Sequence, residues 1–254
     1  MFKYPKPLDT QRLFVPAKIS LDRIELEITF QCNLGCFHCS RRIPQAPSEG
    51  LMTLDQIEHF VVESAHPWER VVLSGGEPML HKDILQIVDL ILPVTKKLIV
   101  ATNGHGVEVN RILQTLPRRV EIHNSNKQNN EIRGFVNVDT TCLEFSKGSV
   151  DVHACYVPEH CGILLNRHGY YCCVLAGGID RTLRLGIAIP VLSSVSEDTL
   201  IRQMSIICQY CGHSQDAPGG AYGDIPKSPF KYISPFWAEA YKRHLADPYT
   251  LPTY

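Results

Sequence analysis

The protein has 254 residues, of which 44% are hydrophobic and 20% are charged, a composition that suits a folded core and excludes a disordered chain. Its 25 lysines and arginines against 26 aspartates and glutamates give a formal net charge of −1, which excludes overall basicity as a reason to expect nucleic-acid binding. No apolar run is long enough for a transmembrane helix and the N-terminus lacks a signal-peptide core, so we expect a cytoplasmic protein without membrane or nucleic-acid partners.

Strands and helices alternate along the N-terminal half of the chain. Apolar residues at every second position, or in short runs, predict the strands, and apolar residues at helical spacing predict the helices between them. The predicted strands cover residues 23–30, 70–74, 98–102, 119–123 and 135–138, and the predicted helices follow a capping box at Thr53–Gln56 and cover 84–92 and 111–116. This alternation predicts a parallel sheet built through right-handed crossovers.

The alternation stops near residue 140. Short β-prone segments, glycines and cysteines follow, and the predicted elements there are a hairpin over 162–173, a helix over 196–206 and a short helix over 236–245. We therefore predict an α/β domain over residues 1–140 and a smaller cysteine-rich module with the C-terminal tail over residues 141–254.

Ten cysteines are many for a chain with no sign of export. Secreted domains use cysteines for disulfides, but such domains are usually short and carry a signal peptide. In a reducing compartment, clustered thiols are more often metal ligands. The cysteine content therefore favours metal binding over disulfides.

Three of these cysteines, Cys32, Cys36 and Cys39, directly follow the first predicted strand. Ligand sites of parallel α/β proteins collect at the carboxyl ends of the strands. A structural zinc site needs four protein ligands, and His38 or a distant thiol could complete one here. An iron–sulfur cluster is normally held by four cysteines, so three would leave one iron open for a small molecule.

The CxxxCxxC spacing of these cysteines resembles that of the radical S-adenosylmethionine (SAM) superfamily. The resemblance implies a partial (βα) barrel in which Cys32, Cys36 and Cys39 hold a 4Fe-4S cluster that binds SAM. It further implies that an external one-electron donor of the flavodoxin or ferredoxin type reduces the cluster, and that SAM is cleaved to a 5′-deoxyadenosyl radical. His38 stands where relatives often have an aromatic residue.

A second motif, Ser74-Gly75-Gly76-Glu77-Pro78, follows the second predicted strand. It resembles the GGEP motif of the same superfamily, which implies that it lies against the amino group of SAM. Glycines permit close approach of the backbone and a carboxylate suits an ammonium group, although the segment alone could be a plain turn.

Polar residues also end the third and fourth predicted strands. Thr102 and Asn103 stand where relatives often contact SAM, although the same residues are common in ordinary strand-ending turns. The segment 123–127, which contains His123, Asn124, Ser125 and Lys127, either faces the same site or forms a solvated loop.

The remaining seven cysteines lie in the C-terminal half. Cys208 and Cys211 form a CxxC pair, and a hairpin with a possible turn at Gly169 precedes it. This arrangement resembles the twitch module, the short form of the SPASM module, which implies a second, auxiliary 4Fe-4S cluster. The implied ligands are Cys155, Cys173, Cys208 and Cys211, with Cys161 and Cys172 as alternates, and a zinc knuckle is the other interpretation.

Under that mapping, Cys142, Cys161 and Cys172 are left over. Each is either a small buried hydrophobic residue or a hydrogen-atom donor to a substrate radical. The sequence thus predicts a radical SAM enzyme that abstracts hydrogen from a small polar substrate, such as a sugar or an aminocyclitol, and oxidises or epimerises it. The alternatives are a peptide-modifying radical SAM maturase and a non-enzymatic iron–sulfur or zinc protein.

Overall fold

The computed structural model describes residues 18–36, 39–127, 155, 157–211, 235–247 and 251–254. Within this part of the chain, six strands form one sheet in the order β4-β3-β2-β1-β5-β6. The strands are β1 Arg23–Thr29, β2 Arg70–Gly75, β3 Leu98–Thr102, β4 Val120–Asn124, β5 Ile163–Asn166 and β6 Gly169–Tyr171. The first five strands are parallel, and β6 returns antiparallel to β5.

The described part of the chain also contains seven α-helices. They are α1 Leu54–Glu63, α2 Ile84–Ile91, α3 Val107–Leu113, α4 Val157–His160, α5 Ala176–Leu183, α6 Glu197–Ile207 and α7 Pro235–Ala246. None of these helices is long and apolar enough to cross a lipid bilayer. The predicted α/β class with a parallel-dominated sheet is confirmed.

Local sequence signals located most of these elements. The first four strands lie where they were predicted, and Thr53 caps α1 by accepting a hydrogen bond from the Gln56 backbone N–H while the Gln56 side chain accepts one from the Thr53 N–H. The prediction for α3 was displaced: the helix begins at Val107, after Gly106 adopts a φ of +96°, and ends at Leu113. The strand predicted over 135–138 lies outside the described residues.

The predicted hairpin is present as β5 and β6, and it belongs to the main sheet. Gly169 has a φ of +132°, which a glycine adopts without strain, and it begins the returning strand. Strand β5 pairs with β1, with Asn166 beside Glu27. The two predicted parts of the chain thus share one sheet, while the boundary predicted near residue 140 lies outside the described residues and stays a prediction.

Helix α5 packs against the face of the sheet that carries Glu27, and the sequence did not predict it. Its two glycines allow a close approach, since a Cβ on Gly177 would lie 2.6 Å from Asn166 Nδ2 and a Cβ on Gly178 would lie 2.9 Å from the Arg41 carbonyl oxygen. The same glycines lower helix propensity. The formation of α5 therefore depends on its tertiary packing and not on its intrinsic helix propensity.

Glu27 is a buried carboxyl group whose pKa makes stability depend on pH. Its Oε2 accepts a hydrogen bond of 3.1 Å from Asn166, whereas Oε1 has no partner among the described residues. Burial raises the pKa of Glu27 to about 7, although Arg181 and Asn166 oppose the rise. The folded protein therefore holds this proton more tightly than the unfolded chain does, and stability falls as pH rises from about 4.3 to 7.

Replacing Glu27 with glutamine is expected to remove this pH dependence, which amounts to about 3 kcal/mol. Urea unfolding at pH 5 and pH 8 measures it, as the change with pH of the stability difference between the variant and the wild type. Glu58→Gln, on the exposed surface of α1, is the matched control. Parallel pH curves for wild type and Glu27→Gln would contradict the expectation.

Candidate functional site

The loops that follow β1 to β4 lie at one edge of the sheet, because these strands are parallel. The loop after β1 carries Cys32, and the loop after β2 carries Glu77. Two backbone hydrogen bonds join these loops, from the Gly76 N–H to the Thr29 carbonyl at 2.8 Å and from the Glu77 N–H to the Gln31 carbonyl at 2.7 Å. The two motifs found in the sequence therefore contact each other.

The glycines of the Ser74–Pro78 motif are required by this contact. A Cβ on Gly76 would lie 2.2 Å from the Gln31 carbonyl oxygen, and one on Gly75 would lie 2.3 Å from the Thr29 carbonyl oxygen. Both distances are far too short for real atoms. Gly75 also has a φ of +151°. The motif is therefore built for close approach to the cysteine loop.

Glu77 joins the β2 loop to the end of β3. Its buried carboxylate accepts hydrogen bonds from the Thr102 hydroxyl at 2.8 Å, the Asn103 N–H at 2.7 Å and the Met79 N–H at 3.2 Å. Burial raises the pKa of Glu77, and these three hydrogen bonds oppose the rise. Thr102 and Asn103 thus hold the Glu77 carboxylate by hydrogen bonds, and they lie at the same edge of the sheet as the cysteine loop.

Asn103 closes the link back to the cysteine loop. Its side-chain amide donates to Asn33 Oδ1 at 2.8 Å and lies 3.8 Å from Cys32 Sγ. In return, the Asn33 amide donates to the His105 carbonyl at 2.6 Å, and the His105 N–H donates to Asn103 Oδ1 at 2.7 Å. The cysteine loop is therefore anchored from both β2 and β3.

Cys32, Cys36 and Cys39 all lie in this anchored loop. Burial, together with the charges of Cys39, Glu77 and Cys36, raises the pKa of Cys32 to about 11. Burial also raises the pKa of Cys39. Lys127, beyond the end of β4, places its Nζ 3.8 Å from Cys36 Sγ. A bound metal would therefore have to displace thiol protons. The Lys127 ammonium group lies beside Cys36 and would offset the negative charge of the resulting thiolate.

The donor set of this loop fits an iron–sulfur cluster, which cysteine thiolates hold. All three candidate ligands are sulfur atoms, and each is a free thiol. In the described part of the chain, no three His, Cys, Asp or Glu side chains are gathered closely enough to hold a single metal ion. His38, the residue considered as a fourth zinc ligand, lies outside the described residues.

A second group of thiols, Cys155, Cys173, Cys208 and Cys211, is buried. Burial, together with the charges of Cys173 and Cys211, raises the pKa of Cys155 to about 12. The pKa of Cys208 is also raised well above its usual range by burial, with contributions from the other three. These four thiols therefore interact with one another.

The alternates Cys161 and Cys172 have different surroundings. Cys172 shares a hydrogen bond with Cys173 that lowers the pKa of Cys173 and raises its own, and backbone N–H groups of Leu175 and Ala176 also lower the pKa of Cys173. Cys161 is half-buried beside Arg41 and Cys173. Cys173 is thus the better supported thiolate of the adjacent pair, and Cys142 lies outside the described residues.

Arg41 is a site residue that the sequence analysis missed. Its buried guanidinium pairs with Glu25 and donates to the Val174 carbonyl at 2.6 Å and to the Ser74 hydroxyl at 3.3 Å. Burial lowers the pKa of Arg41 to about 10, while the Cys161 and Cys173 thiols oppose the fall. Arg41 thus joins the first cysteine loop to the backbone beside Cys173. The position after the cysteine motif was the available signal, but most arginines lie on the surface.

Comparison with known proteins finds a family match in the N-terminal part of the chain. Residues 26–123 match the Radical SAM superfamily. The probable GTP 3′,8-cyclase of Pyrococcus horikoshii is 40% identical over 82 residues, which cover 32% of this chain and 26% of that protein. The GTP 3′,8-cyclase of Mannheimia succiniciproducens is 36% identical over 108 residues, which cover 41% of this chain and 32% of that protein.

The matched region therefore spans only about a quarter to a third of these relatives. A solved structure of BtrN in complex with AdoMet and 2-DOIA aligns with a TM-score of 0.46 at 12% identity, covering 85% of this chain and 99% of that one. The match to the Radical SAM superfamily over residues 26–123 includes the first cysteine loop and Glu77.

Proposed function

We propose that this chain, through its radical SAM domain, is an enzyme that cleaves SAM reductively and abstracts a hydrogen atom from a small polar substrate. The observation that carries the proposal is the anchored cysteine loop. Three free thiols occupy a loop that backbone and side-chain hydrogen bonds tie to Gly76, Glu77 and Asn103. This loop lies within the matched domain.

In this proposal Cys32, Cys36 and Cys39 hold a 4Fe-4S cluster. When bound, the cluster and SAM supply the reductive cleavage that produces a 5′-deoxyadenosyl radical. The chain contributes position and charge: the Glu77 network fixes the loops after β2 and β3, and Lys127 offsets negative charge near Cys36. An external flavodoxin- or ferredoxin-type protein supplies the electron.

We further propose that Cys155, Cys173, Cys208 and Cys211 hold an auxiliary 4Fe-4S cluster. The mutual influence of these thiols on their pKa values supports a shared site, and Cys161 and Cys172 stay as alternates because they also interact with members of the set. A second cluster could accept an electron from a substrate radical, which favours oxidation of the substrate. Epimerisation would instead require a hydrogen donor, and that role for Cys142, Cys161 or Cys172 stays a prediction.

A sugar, an aminocyclitol or a similar molecule is our proposed substrate, in a cytoplasmic enzyme that needs neither a membrane nor a nucleic acid. A nucleotide cyclase is the second candidate, because two matched relatives are named GTP 3′,8-cyclase. The family match covers residues 26–123, whereas the C-terminal thiols lie beyond it. A peptide maturase or a non-enzymatic iron–sulfur or zinc protein would be the remaining classes.

Anaerobic reconstitution with iron and sulfide tests the proposal. The expected result is about eight irons per chain, four for each cluster, and release of 5′-deoxyadenosine when SAM and dithionite are added. About four irons per chain together with SAM cleavage would overturn only the proposed auxiliary cluster. Stoichiometric zinc without SAM cleavage would overturn the proposal that this chain is a radical SAM enzyme.

A further inference from the structure

A cavity of about 640 Å³ lies beside the cysteine loop, between that loop, the β5–β6 turn, α5 and α7. Its lining includes Phe30, Cys32, Arg167, His168, Arg181 and His244. Ser74–Pro78, Thr102 and Asn103 are not among the described residues that line it. The cavity is therefore separate from the Glu77 network, although Cys32 belongs to both surroundings.

Two arginines supply the positive charge of this cavity. Arg181 is 2% exposed, stacks its guanidinium 4.6 Å from the centre of the Phe30 ring, and donates to the Arg41 carbonyl at 2.8 Å. Arg167 donates to the Glu49 carbonyl at 3.4 Å. The Nε of each arginine is buried without a hydrogen-bond partner among the described residues.

Two neutral imidazoles also line the cavity. His244 is 1% exposed, and its Nε2 lies 3.4 Å from the Pro47 carbonyl, so Nε2 carries the proton and Nδ1 is an acceptor. This Nδ1 has no partner in the described part of the chain. His168 Nδ1 lies 2.9 Å from the Pro252 carbonyl, and burial lowers the pKa of His168 to about 4.

Buried polar atoms without partners are rare, because each one costs free energy that a hydrogen bond would recover. Three such atoms, from Arg167, Arg181 and His244, belong to residues that line this one cavity. Arginine suits carboxylate and phosphate groups, and a neutral imidazole nitrogen accepts a hydrogen bond from a hydroxyl group. One carboxylate, that of Glu49, is present in the described lining against the two arginines.

We propose that this cavity binds a small hydroxylated anion, a polyol that carries a phosphate or carboxylate group. Arg167 and Arg181 bind the anionic group, and His244 accepts a hydrogen bond from a hydroxyl. The inference rests on the proposed function in one respect: Cys32 forms part of the wall, so a ligand here lies beside the proposed source of the radical.

Thermal unfolding of the reconstituted protein with added ligand tests this proposal. The probes are glucose 6-phosphate, gluconate, inorganic phosphate and neutral glucose. We expect an anionic probe to raise the melting temperature of the wild type more than glucose does. Calorimetry should then show about tenfold weaker binding of that probe to Arg167→Gln and to His244→Leu, since each loses a direct contact.

Matched controls are Arg111→Gln and His66→Leu, at exposed positions away from the cavity, which should bind the probe as the wild type does. The proposal is overturned if no anionic probe exceeds glucose, or if Arg167→Gln and His244→Leu bind as the controls do. A preference for glucose 6-phosphate or for gluconate identifies the anionic group. Probe binding without 5′-deoxyadenosine production would overturn the proposed function and support the proposed binding cavity. Production of 5′-deoxyadenosine without probe binding would support the function and overturn the binding cavity.

Discussion

Replacing Cys32, Cys36 and Cys39 together with alanine is expected to abolish the release of 5′-deoxyadenosine and to leave about four irons per chain. The physical reason is that SAM would bind the open iron of the cluster these thiols hold, and no other described thiol lies on this loop. Iron analysis and chromatography of 5′-deoxyadenosine after anaerobic reconstitution measure the two effects.

The complementary variant Cys208→Ala with Cys211→Ala is the control. It removes two ligands of the proposed auxiliary cluster, so it should also retain about four irons, but it should still cleave SAM. Retained cleavage in the first variant would refute the assignment of Cys32, Cys36 and Cys39. Loss of all iron in either variant would show that the two thiol groups do not act as separate sites.

Replacing Arg41 with methionine is expected to lower the melting temperature of the reconstituted protein by roughly 10 °C. Arg41 and Glu25 form an ion pair in which both residues are buried. Removing one partner of a buried pair leaves an uncompensated charge and costs about 3–5 kcal/mol. In a chain of this length, each kcal/mol shifts the melting temperature by about 2–4 °C.

A double-mutant cycle separates the lost ion pair from the lost packing. Glu25→Gln removes the charge that Arg41→Met would leave alone, so the double variant should melt higher than the sum of the single effects implies. Arg111→Met breaks the exposed pair with Glu108 and should change the melting temperature little. Strict additivity of the two buried substitutions would contradict the role assigned to the pair.

Local patterns were sufficient for much of the fold. The strands β1 to β4 depend on runs of alternating or apolar residues, and α1 depends on the Thr53–Gln56 box, all within a few neighbouring positions. The exposed start of α3 carries no such signal, since Val107 is 88% exposed. Helix α5 was missed because Gly177 and Gly178 disfavour a helix in isolation and serve only its packing.

The candidate site also has one part that local sequence patterns predict and another that depends on tertiary contacts. The spacing of Cys32, Cys36 and Cys39 and the glycines before Glu77 are contiguous motifs, so they could be recognised without a structure. The different surroundings of Cys172 and Cys173 could not be recognised in this way, because they depend on a hydrogen bond between these adjacent thiols and on the backbone N–H groups around them.

The sequence by itself determined the parallel α/β arrangement, the cysteine loop at a strand end and the glycine-containing motif after the second strand. Only the tertiary structure decided that the hairpin joins β1, that Arg41 links the two thiol groups and that Arg181 and His244 line one cavity. The physical reason is separation along the chain: Arg41 and Val174, for example, are 133 positions apart. Such contacts form only when the chain closes on itself, so no local periodicity or spacing records them.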